Sequence, residues 1–261
     1  MTGVLALAAY TTWLSAVAPT EHTLWILLAI LAASLISSIA GFAFSAICGA
    51  MLFHLIDDPV RAVQIMMICS VGGQSLMVWT LRREIPWRAL SVFLAGAAIG
   101  LPLGIFVLLH TRPALYVQAV GALLVLYALF MMARRPMILR RQNAFFDAMA
   151  GFVGGVTGGA AALPGLFVTI WCGFKGWPKE KQRALYQPFI LIVQLAAVAI
   201  MALPGFVPQS RPAFDFAGVA YLPAMLLGST LGMACFNRLS DRQFSLAVNL
   251  LLVASGLGFL V

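Results

Sequence analysis

Charge is scarce in this sequence. Lys, Arg, Asp and Glu make up 9% of its 261 residues, whereas a soluble globular domain carries roughly 25%. With 62% hydrophobic side chains and a mean hydropathy of +1.00, an ordinary soluble domain is excluded and an integral membrane protein is expected, with the lipid bilayer as its surroundings. The charge that remains is one-sided, 16 Lys and Arg against 8 Asp and Glu. Those bases sit in short loops between apolar runs, where the positive-inside bias puts them, so the excess does not imply nucleic acid and no nucleic acid partner is expected.

No Lys, Arg, Asp or Glu occupies the centre of an apolar run. Proton relay through a buried carboxylate is therefore not supported. Asp147 lies near the end of its run, where capping a helix is the expected role. There is no HExxH motif and no intramembrane aspartate pair, and Gly228 to Gly232 reads GSTLG, with Thr at the middle of the nucleophile-elbow pattern. An embedded enzyme is therefore the weakest reading. Cysteine is also sparse: Cys48, Cys69, Cys172 and Cys235 each lie inside an apolar run without a close neighbour. They read as small buried hydrophobes, and neither metal nor cofactor is expected.

Apolar runs are what the chain has in abundance. A span needs about 20 residues, and six runs fit: 62–81, 88–109, 113–132, 184–203, 216–236 and 243–261. Residues 1–23 lack a basic n-region and are expected as a short span or an interfacial helix. Two further runs, 24–55 and 144–174, are too long for one crossing, and both are interrupted near the middle by small and polar residues.

Loop charge decides how these long runs lie. Lys and Arg number one in 56–61, three in 82–88, one in 110–112, four in 133–143, four in 174–183, one in 204–215 and two in 237–242. If every run crosses once, the two sides share these bases equally. If each long run returns to its own side, thirteen fall on one side and three on the other, a normal positive-inside distribution. The long runs therefore read as helical hairpins with glycine-rich tips turned inward.

Each half then holds a hairpin and three spans. Gly100 and Gly104 match Gly228 and Gly232, and Arg61 matches Arg183 after a proline turn. An odd number of crossings per half inverts the halves. The expected fold is an all-α polytopic membrane protein of two inverted repeats, each a broken, re-entrant helical hairpin plus three transmembrane helices. Repeat 1 covers 24–132, a basic cytoplasmic linker 133–143, and repeat 2 144–261. Such repeats with broken helices are the recurring plan of secondary transporters.

Without fixed charge, the best anion receptor available is a helix start whose first amides lack intrahelical partners. GGVTGGAAALPG is expected to turn at Thr157 to Gly159 and begin its second half-helix near Leu163, with Pro164 in the first turn. In GFAFSAICG, Gly41 is placed at the turn and Ser45 near the new start. The candidate substrate-binding residues are Ser38, Gly41, Phe42 and Ser45 in the first break, Thr157, Gly158 and Gly159 in the second, and Gln64, Gln187 and Gln194 on the spans that follow. Gly96, Gly100 and Gly104, four residues apart, read instead as a helix-packing face. The function expected is transport of a small anion by alternating access, with an anion channel as the alternative and a homo-oligomer compatible with either.

The paired broken segments, the GGVTGGAAALPG stretch and the continuation from Pro178 to Arg183, Ala184 and Leu185 together resemble the TauE/SafE family. The resemblance extends over nearly the whole chain from residue 24. It implies export of sulfite or a small organosulfonate such as sulfoacetate across a bacterial inner membrane. The first half departs from the fuller glycine pattern, with Phe42 and Phe44 placed to narrow the site.

Overall fold

The computed structural model describes residues 21–40, 44–112, 143–203 and 216–236, with individual helical positions between 115 and 129. Gly41 and Phe42, the linker 133–142, the last run and most of the N-terminal segment lie outside the described residues. Among the described residues every regular element is helical. They are α1 (Glu21–Ala40), α2 (Phe44–Leu55), α3 (Pro59–Leu81), α4 (Trp87–His110), α5 (Ala144–Ala161), α6 (Gly165–Phe174) and α7 (Lys179–Ala202), then a 3-10 turn (Phe216–Tyr221) leading into α8 (Leu222–Phe236).

Helices α3, α4 and α7 are long and apolar enough to cross a membrane, whereas α1, α2 and α6 are shorter apolar pieces. Both long runs are thus divided, as the loop charge requires. Local chemistry sets several boundaries. Asp58 caps α3 by accepting from the Val60 amide at 3.0 Å, ahead of Pro59 in the first turn. Asn143 caps α5, accepting from the Phe145 amide at 3.2 Å. Capping was expected of Asp147; the side chain instead pairs with Lys175 at 2.7 Å. The reason is proximity: α6 returns alongside α5 and brings Lys175 to Asp147, while Asn143 already occupies the cap.

Glycine contacts fix the relative directions. A Cβ added at Gly96, Gly100 or Gly104 of α4 would overlap the carbonyl oxygen of Ala148, Phe152 or Val156 of α5 in turn. Each four-residue step along one helix is matched by a four-residue step the same way along the other, so α4 and α5 are parallel and in backbone contact. The glycines of α5 return the contact: Gly151 lies on Phe93, Gly155 on Ala97 and Gly159 on Leu101. Helix α7 also runs with α5, Gly154 facing Phe189 and Gly158 facing Val193.

The same reading unites α1, α3 and α8. Gly228 and Gly232 of α8 meet the carbonyls of Leu31 and Leu35 in α1, while Gly72 and Gly73 of α3 meet Leu222 and Met225 of α8. The α5–α6 pair is reversed. Gly154 faces Val168, Gly158 faces Pro164, and Asp147 reaches Lys175, so α6 runs back antiparallel and its end returns to the start of α5.

Candidate functional site

The second break falls at Ala162, Leu163 and Pro164, beyond the glycines. Proline disfavours helical geometry in the residue before it and cannot donate to the preceding turn. Ala162 takes the left-handed conformation, φ 56° and ψ 32°, and its amide and that of Leu163 bond back to the carbonyls of Gly158 (3.0 Å) and Thr157 (3.1 Å). Thr157, Gly158 and Gly159, expected as the turn, belong instead to the last turn of α5. Their small size serves packing: Gly158 leaves room for Pro164 and Val193, and Gly159 for Leu101 and Ile105. The Thr157 hydroxyl lies 3.0 Å from the carbonyls of both Val153 and Leu163, tying the helix to the break.

Where α6 restarts, a small cavity lies between the two broken segments. Ser45 and Ala46 at the start of α2 form one wall, and Gly165 and Leu166 at the start of α6 form another. Ser70 of α3 and Gln194 of α7 close the sides. No lining side chain carries a charge. The Gln194 amide donates to the carbonyl of Ala162 at 3.1 Å, which fixes its orientation and leaves Oε1 without a partner. The Leu166 amide already bonds the Leu163 carbonyl at 3.3 Å; the positive end of the helix dipole and the Ser45 and Ser70 hydroxyls around a small volume are features that can accept an oxyanion and release it again.

Of the sequence-expected residues, Ser45 and Gln194 line this cavity. Ser38 lines a neighbouring cavity. Gln64 is buried in α3, and Gln187 is buried in α7 with both amide atoms unpartnered; neither lines either cavity. Ser70, which lines both cavities, was missed. Its only signal is a place one helical turn before Gln74. Buried Cys48, Cys69 and Cys172 are free thiols, as their apolar surroundings imply.

The model of the family described as sulfite exporter TauE/SafE matches residues 26–259, and so takes in both broken helices and the cavity between them. The chain belongs to the TauE/SafE family. This is a transporter family, and membership agrees with a membrane protein built around α3, α4 and α7. Comparison with curated proteins returned no match, nor did comparison with solved structures.

Proposed function

We propose that the protein is a secondary transporter of the bacterial inner membrane that exports a small oxyanion, sulfite or a small organosulfonate such as sulfoacetate. Its site is the cavity between the starts of α2 and α6. The observation that carries this reading is the meeting of Ser45 and Ala46 with Gly165 and Leu166 around one uncharged volume. Two positive helix ends supply the attraction, and the lack of a fixed cation allows release.

Alternating access follows from two inverted repeats. Their support is the equivalence of packing: Gly228 meets the Leu31 carbonyl and Leu35 amide as Gly100 meets the Phe152 carbonyl and Val156 amide. Each half lays its glycine helix along the broken helix of the other half. Helices α3 and α4 are joined by only five residues, 82–86. If they cross in opposite directions, the set α1, α3 and α8 opposes the set α4, α5 and α7, and the hairpins enter from opposite faces.

Proteoliposomes test the reading. Saturable sulfite efflux with accelerated exchange against sulfite outside is the expected behaviour. Efflux that stays proportional to concentration without exchange acceleration would indicate a channel, and no flux above empty vesicles would rule out sulfite transport.

A further inference from the structure

A second small cavity adjoins the first across Ser70. Its walls come from the end of α1 (Ser37, Ser38), from α3 (Ser70, Gln74) and from α8 (Ser229). We propose that this cavity binds a small alkali cation, whose occupancy raises the affinity of the neighbouring oxyanion site.

The chemistry of the wall is that of an acceptor. A hydroxyl has one proton and two lone pairs. Ser38 spends its proton on the Leu35 carbonyl at 2.9 Å, and Ser37 spends its own on the Ser34 carbonyl at 3.2 Å. What Ser37 can still offer is lone pairs; the Ser38 oxygen also sits against Gly232 of α8. Gln74 is more than nine-tenths buried and its Oε1 has no donor. An unpartnered buried carbonyl is costly and calls for an explanation; a cation supplies one. The cavity also lies at the last turn of α1, at Ser37 and Ser38, the negative end of that helix dipole. Hard oxygen donors of this kind suit alkali cations. Lining side chains carry no charge, so the anion across Ser70 is the countercharge.

This polarity is peculiar to one half of the molecule. Matching the glycine contacts places Ser229 on Leu101, Met225 on Ala97, and Ser37 and Ser38 on Gly158 and Gly159. In the second half those positions are closed, with Gly155 and Gly159 packed on the backbone at Ala97 and Leu101. An opening at the first set is therefore not a by-product of the architecture.

The test does not depend on sulfite being the substrate. Purified full-length protein is melted in NaCl, KCl and choline chloride at matched ionic strength, with and without sulfite as its choline salt. A saturable rise of a few degrees with Na⁺ or K⁺ but not choline is expected, as for any ligand that binds only the native state. By reciprocity, the cation should also lower the half-saturating sulfite concentration. Gln74→Leu, and independently Ser229→Ala, should weaken the cation response at least tenfold while the sulfite response in choline persists. Equal melting in the three salts, or a wild-type cation response in both folded variants, overturns the proposal. A protein that answers to the cation but not to sulfite upholds the cation site and overturns the oxyanion reading.

Discussion

Asp147, in the first turn of α5, and Lys175, just past the end of α6, lie 2.7 Å apart and are both buried. Trp171 donates to the other carboxylate oxygen at 2.6 Å, and the Lys175 ammonium sits 4.7 Å from the Trp177 ring centre. The open end of the second hairpin is closed by this cluster, far along both helices from the break. Lys175→Met alone strands a buried carboxylate and should cost about 3 to 5 kcal/mol. Pairing it with Asp147→Asn should restore most of that loss. Melting of the single and double variants in detergent reads the difference.

The α4–α5 contact is backbone on backbone. Gly100→Ala would place a methyl group into the Phe152 carbonyl, and overpacking of this kind costs about 1 to 3 kcal/mol. Ile99, next in sequence but 66% exposed, should tolerate alanine within about 0.5 kcal/mol. Thermal stability and monodispersity of the two variants check this. Gly158→Leu would also abolish transport, but by displacing Pro164 and Val193, so its loss alone would not report anion contact.

The break depends on Ala162 in a left-handed conformation, which costs a non-glycine residue about 1 to 2 kcal/mol. Ala162→Gly should therefore hold or raise the melting temperature, and Ala162→Val should lower it. Gln194→Leu leaves the Ala162 carbonyl unpaired and should cost about 1 to 3 kcal/mol. It should also reduce sulfite efflux by more than the stability loss explains, which flux normalised to folded protein would show.

Topology gives a separate check. Cysteines placed at Asn143 and Glu180 should label from the same side of the membrane, and those at Asp57 and Arg83 from opposite sides. Asn143 and Glu180 on opposite sides would mean that the second broken run crosses.

How legible this was in the sequence differs from residue to residue. The division of the two long runs followed from loop charge, because charge partitions across a membrane regardless of packing. The match of Gly100 and Gly104 with Gly228 and Gly232 was visible because backbone contact tolerates little else. The break lies later than the glycines suggest for a related reason: glycine permits both turning and close approach, and at 158 and 159 the approach to Pro164 and Leu101 uses it. Nothing about an alanine announces a left-handed residue at 162. Asp147 and Lys175 could have been paired from the hairpin reading, which brings the ends of the run together. Ser70 and Ser229 could not, since an isolated serine in an apolar helix carries no direction until its neighbours are known.

The most direct measurement is anomalous diffraction from crystals grown with selenite, the heavier counterpart of sulfite. A selenium peak between Ser45 and Gly165, within reach of Gln194 and Ser70, is the expected result. A peak elsewhere, with this cavity empty under conditions that support binding, would contradict a site built from the starts of α2 and α6.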